Sequence, residues 1–211
     1  MAYICTDVLA GSVDLYQVDT LGPGPLAGLA TGPTTRGFTN YPAMEVRGAH
    51  PFLGGGAFIY GRAAGTLIVG QAVEVGVNVT TGRYDTNMTA WVGTAGSAKP
   101  LAFAMVALTV GQFGWFQVEG LAVAAVSGAP AVGNPAYWQA AGVISPTLVA
   151  SKQSLATTFA SAVSAVFGTG IVATTAYNPL NVATLGYTGG LLSATQALVA
   201  VNRPSAQGQI T

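Results

Sequence analysis

The stretch KPLAFAMVALTVGQFGWFQVEGLAVAAV, residues 99–126, decides the fold. Leu101 to Val110 is almost wholly apolar, as in a strand buried on both faces, and a buried helix fits that run as well. Gly111-Gln112-Phe113-Gly114 then breaks it. Beyond the break, Trp115, Gln117 and Glu119 alternate with Phe116 and Val118, and Leu121 to Val126 carries the apolar pattern on. Alternation beyond a glycine-bearing turn reads as an antiparallel strand pair joined at Gly111–Gly114.

Towards the N-terminus lies GGGAFIYGRAAGTLIVGQ, residues 54–71. Phe58-Ile59-Tyr60 is a short β-rich run and Gly65-Thr66 marks a turn. Val73, Val75, Val77 and Val79 then alternate with Glu74, Gly76, Asn78 and Thr80, which is strand periodicity with β-branched residues. Thr81-Gly82 ends it, and Tyr84 to Val92 reads as the next strand. Towards the C-terminus, 127–135 is a loop, and AYWQAAGVI (136–144) reads as a strand pair turning at Ala141-Gly142. Residues 151–168 are the one helix candidate, with Leu155, Phe159, Val163 and Val166/Phe167 at helical spacing, Ser151 or Ser154 at the start and Gly168 at the end. IVATTAY (171–177) and ALVAVNRP (197–204) read as final strands.

The expected fold is therefore mainly β. A compact β-sandwich or barrel-like domain of short strands with one helix spans residues 53–204, and a loose tail covers 205–211. Residues 1–52 form an extended N-terminal arm, since LGPGPLAGLATGP (21–33) is rich in Pro and Gly. The arm nevertheless carries Tyr3, Ile4, Leu15, Tyr16 and Val18, which a solvated tail does not need. Either these side chains pack on their own domain, or they lie on a neighbouring subunit.

Charge narrows the function. Only 7% of the 211 residues are charged, 7 Lys+Arg against 7 Asp+Glu, where an ordinary soluble domain has about 25%. After Glu119 only Lys152 and Arg203 are charged. So few surface charges at zero net charge favour self-association. Such a chain either sits in a membrane or is covered by other protein. Pro130, Pro135, Pro146 and Pro179 and many Gly interrupt the charge-free stretches, so no lipid-facing helix fits. A transmembrane barrel wants repeated alternating segments, and one segment alone alternates cleanly. The expectation is a chain outside the membrane. Its start, MAYICTDVLAG, has no basic region, and one cysteine, Cys5, excludes an internal disulfide; both suit synthesis in the cytoplasm.

The residue types for catalysis are sparse. One His, His50, supplies no convincing triad base, and one Cys with one His makes no zinc site. Asp7, Asp14, Asp19, Glu45, Glu74, Asp85 and Glu119 show no catalytic spacing. GTGIVA (168–173) matches a loose dinucleotide pattern, but Pro179 follows soon and no acid occurs after Glu119 to hold a ribose. Gly54-Gly55-Gly56 lacks the Gly-Lys-Thr of a phosphate loop. Seven balanced basic residues make no nucleic-acid stripe. The expectation is no enzyme, no cofactor, no metal and no nucleic-acid partner.

Several short motifs resemble bacteriophage capsid decoration (head cement) proteins. They are Gly55-Gly56-x-Phe58-x-Tyr60, Ala64-Gly65-Thr66, and Gly111-x-x-Gly114-Trp115-x-Gln117-x-x-Gly120. Gly142-Val143, Gly170-Ile171-Val172 and Asn202-Arg203-Pro204 follow. The resemblance covers roughly residues 54–204. It implies a β-rich virion protein without an active site, bound to the outer capsid surface. Its partners would be the major capsid protein and itself, as a homotrimer. Two other readings stay open. One is another phage structural protein: a head fibre base, minor coat or tail component. The other is a carbohydrate-binding β-domain with Tyr84, Trp91, Tyr137 and Trp138 as a sugar platform.

Overall fold

The structure is a computed structural model. It describes residues 4–6, 14–16, 18–19, 45–50, 54–77, 86–90, 99–148, 154–160 and 195–206. These residues are mainly β. The strands are β1 (Ile4–Cys5), β2 (Glu45–His50), β3 (Gly54–Ala63), β4 (Ala72–Val77), β5 (Thr86–Ala90), β6 (Lys99–Ala104), β7 (Phe113–Ala125), β8 (Pro135–Trp138), β9 (Ile144–Ser145), β10 (Ser154–Thr158), β11 (Gln196–Asn202) and β12 (Ser205–Ala206).

Strand pairings run β1-β2-β3-β5-β4-β6-β7-β11 in one sheet, with β12 on β6. β7 also pairs β3, from Ala57↔Glu119 to Arg62↔Phe113. The pairings thus make a barrel-like circuit through β3, β5, β4, β6 and β7 and back to β3. A second circuit uses the other half of β7. It passes to β11, across the Val199↔Phe159 bridge to β10, then through β8 and β9, and returns by Ile144↔Val126. The 13 residues of β7 are therefore shared by both.

Each circuit has its own apolar cluster. Ala57, Ala63, Leu67, Val73, Ala102, Ala104, Leu108, Phe116 and Val118 form one. Leu101, Phe103, Ala122, Ala124, Val126, Trp138, Ile144, Phe159, Val199 and Val201 belong to the other. Successive strand residues face opposite sides, so β6 sends Ala102 and Ala104 to the first and Leu101 and Phe103 to the second. That is why Leu101 to Ala104 is apolar at every position.

β7 can serve two circuits because it bends in the middle. The register against β3 shifts between Ala57 and Phe58, a β-bulge. Gly120 sits there at φ +99°, and a Cβ on it would lie 2.4 Å from the Gly55 carbonyl oxygen. Only glycine tolerates both conditions. Gln117 is buried, and its Nε2 donates to the carbonyls of Glu119 at 3.0 Å and Leu121 at 3.1 Å. Gly55-Gly56 and Gln117-x-x-Gly120 are thus two sides of one backbone contact.

Three sequence expectations need correction. The helix expected over 151–168 is absent where the structure describes it: Ser154–Thr158 is β10, antiparallel to β8. Leu155, Thr157 and Phe159 fit period two as well as a helical pattern, and Thr157-Thr158 are β-branched, so the pairing partner decided. The remainder of that candidate, and the strand expected at 171–177, lie outside the described residues. Second, β6 stops at Ala104 rather than Val110, because Leu108 turns back to bridge Leu67. Third, Ser205–Ala206 of the expected tail pairs β6, and Glu45–His50 of the expected arm pairs β3.

Replacing Gly120 with Ala should destabilise the protein by at least about 2 kcal/mol, because the clash with the Gly55 oxygen adds to backbone strain. Gln117→Leu should remove about 1–3 kcal/mol by taking a donor from two carbonyls. Equilibrium urea unfolding measures both, with Gly133→Ala, which meets no atom within 4 Å though it also has positive φ, as the strain-only control.

Candidate interaction surface

The five arm residues singled out in the sequence are not brought together on one surface. Tyr3 lies outside the described residues. Ile4 pairs Ala49 as part of β1. Leu15 is fully buried within its own chain. Tyr16 and Val18 are exposed, at 37% and 38%. Asp14 accepts from the Tyr16 amide at 2.9 Å, a local turn that sets the two apart from Leu15.

What ties this segment down is Asp19. Its amide and carbonyl exchange hydrogen bonds with Phe113 at 2.9 and 2.8 Å. Its buried carboxylate accepts from the Tyr60 hydroxyl through Oδ2. Tyr60 stacks on Phe113 at 5.8 Å and leans on Trp115 at 5.2 Å. Trp115 is wholly buried, a core aromatic, and its Nε1 has no hydrogen-bond partner among the described residues. Burial, then the hydrogen bond to Asp19, pushes the Tyr60 phenol well above its ordinary range. Composition alone cannot show that an acid in a Pro/Gly-rich arm would be buried against a tyrosine of the core.

Among the described residues, four surface charges are paired with one another. Arg203 pairs Glu45 at 2.5 and 3.0 Å, and Arg47 pairs Glu119 at 3.2 Å. These half-exposed pairs contribute little to stability. Their effect is to cancel four charges locally. Asp19 and Glu74 are buried.

Exposed apolar side chains occupy other ground. Ile68 is 54% exposed, Val110 63%, Val132 63% and Leu148 60%. Ile68 and Val110 sit on two turns, 64–70 and 105–111, held side by side where Leu67 and Leu108 exchange backbone hydrogen bonds at 2.8 and 3.0 Å. Thr66, Ala107 and Thr109 are exposed beside them. Neither turn contains a charged residue. These two adjacent turns each carry an exposed apolar side chain, whereas Leu15 of the arm is buried.

Two of the four aromatics suggested as a sugar platform are described. Trp138 is buried and stacked on Phe103 at 6.0 Å, Tyr137 is half-buried, and Tyr84 and Trp91 lie outside the described residues. Among the described residues no group of His, Cys, Asp or Glu is placed to hold a metal, and no helix is long and apolar enough to cross a membrane. The chain matches no family model, no curated protein and no solved structure.

Tyr60 should make the fold sensitive to alkali. The unfolded phenol ionises near pH 10 while the folded one stays protonated, so this contribution is complete below about pH 10 and is lost as pH rises further. Wild type should lose stability above that pH more steeply than Tyr60→Phe. At neutral pH the variant should be about 1–3 kcal/mol less stable, since Asp19 loses a buried donor. Urea midpoints from pH 7 to 11 check both.

Proposed function

We propose that this chain is a non-enzymatic structural protein of a phage particle, which binds the outside of the capsid and braces the shell. The observation that carries the reading is the withdrawal of charge from the surface. Few charges exist; among the described residues four neutralise one another and two are buried, and Ile68 and Val110 stand exposed on turns that contain no charged residue, with the Arg62 guanidinium beside Gly111. A surface of that kind is suited to burial against protein. The short motifs around Gly55-Gly56, Trp115 and Gly120 support the same reading by their resemblance to decoration proteins.

The partners in this reading are the major capsid protein and further copies of the chain, as a homotrimer. Attachment rests on apolar burial, at about 25 cal/mol per Å², rather than on ion pairs. The buried Asp19–Tyr60 contact fixes where the arm leaves the core, and Tyr16 and Val18 beside it are available to a neighbour. A head fibre base, minor coat or tail component would use the same surfaces within the same particle.

The test is to incubate purified protein with undecorated, expanded shells of the phage whose genome encodes it, and to count bound copies after sedimentation. Binding should saturate and survive 1 M salt, where the Debye length is about 3 Å. The double substitution Ile68→Asp with Val110→Asp should leave the circular dichroism unchanged and reduce occupancy at least tenfold. The double substitution Tyr16→Ser with Val18→Ser, which spares the Asp19 contact, should lower occupancy without unfolding the core. Absence of binding by wild type, or its release by salt, would contradict the proposal.

A further inference from the structure

Two segments of the core make the same hydrogen bonds in the same order. Leu67-Ile68-Val69-Gly70-Gln71 lies between β3 and β4, and Leu108-Thr109-Val110-Gly111-Gln112 lies between β6 and β7. Gly70 and Gly111 both have positive φ, +78° and +88°. The Gln71 side chain accepts from the Ile68 amide at 2.9 Å, and the Gln112 side chain from the Thr109 amide at 2.7 Å. The Gln71 and Gln112 amides return bonds to the carbonyls of Ile68 and Thr109 at 3.2 and 3.1 Å.

The bonds between the segments are reciprocal. Ala63 donates to Gln112, and Ala104 to Gln71, at 2.8 and 3.0 Å. Gly111 donates to Ala63, and Gly70 to Ala104, both at 2.8 Å. Leu67 and Leu108 donate to each other. Exchanging Ala63, Leu67, Gly70 and Gln71 for Ala104, Leu108, Gly111 and Gln112 turns each of these bonds into another of the set. Strand register obeys the same rule. Tyr60↔Trp115, Gly61↔Gly114 and Arg62↔Phe113 between β3 and β7 correspond to Leu101↔Glu74, Ala102↔Val73 and Phe103↔Ala72 between β6 and β4.

We infer that the first circuit is a fused pseudo-dimer: two copies of one strand–turn–strand unit, β3-turn-β4 and β6-turn-β7, interlocked about a local dyad through the Leu67–Leu108 bridge. Each unit gives its first strand to the second strand of the other. Neither copy can therefore complete its pairing alone, and the dyad holds the paired-turn end rigid. The copies differ in what surrounds them. β5 joins β3 and β4 in the first, whereas β6 and β7 pair directly in the second. Gln71 also donates to the Ala141 carbonyl at 2.6 Å, joining its turn to the second circuit, while the strand after Gln112 is joined to Asp19.

The inference is independent of any virion role, and its test reads folding alone. Residues 64–71 and 105–112 are exchanged for each other in the full-length chain. Equivalent turns predict that the exchanged protein keeps a cooperative thermal transition, shifted by less than about 10 °C, which for a chain of this size corresponds to a few kcal/mol. A control carries the same exchange displaced by one residue, which moves Leu67, Leu108 and both glycines out of place, and should lose the transition. A second measurement coexpresses residues 1–94 with 95–211. Interlocked units predict that the two pieces copurify as a folded complex and that residues 1–94 do not fold alone. The inference is overturned if the in-register exchange unfolds like the displaced control, if residues 1–94 show a cooperative transition by themselves, or if the pieces fail to associate.

Discussion

The bend in β7 is the constraint on which the rest of the structure depends. One strand of 13 residues must border two apolar clusters. A straight strand would keep one register with β3 along its length. The bulge at Gln117–Gly120 changes the register against β3 once, between Gln117 and Glu119, and from Glu119 to Ala125 the strand pairs β11. Three local features make the bulge: glycine at φ +99°, a bare backbone opposite at Gly55-Gly56, and a buried glutamine amide on two carbonyls. With any other residue at 120 the Gly55 oxygen could not approach as it does.

The same contact explains how much of the fold was legible. Val73 to Val77, Phe58 to Tyr60 and Leu198 to Val201 alternate or are β-branched, and each lies in a strand where expected. The turn at Ala141-Gly142 was legible from its glycine; Gly142 has φ +70° and leaves no room for a Cβ beside the Ala72 carbonyl. Leu155 and Phe159 misled because their spacing fits helix and strand alike, and β8 decided between them. The repeated Leu-x-Val-Gly-Gln at 67–71 and 108–112 was present in the sequence, and comparing the chain with itself would have found it. Its meaning required the reciprocal bonds, since the flanking strands have diverged: Trp115 corresponds to Glu74 and Phe113 to Ala72.

The candidate surface was less legible. Tyr3, Ile4, Leu15, Tyr16 and Val18 were chosen because apolar residues in a Pro/Gly-rich segment need covering. For Leu15 the chain itself supplies the cover, and the buried Asp19 was not foreseen. Charge scarcity was the sounder guide. Pairing Arg203 with Glu45 and Arg47 with Glu119 leaves the described surface poorer in free charge than composition alone implies. Ile68 and Val110 stand on turns that the interlocked bonds hold in place, so little ordering entropy opposes their burial by a partner.

A surface so poor in free charge is covered by protein when the chain works, in the role proposed above. Sedimentation velocity of the purified chain over a micromolar concentration range tests it most directly. The account predicts a discrete homo-oligomer, a trimer in the reading favoured here, whose sedimentation coefficient is insensitive to salt. A monodisperse monomer that stays soluble throughout that range would contradict it.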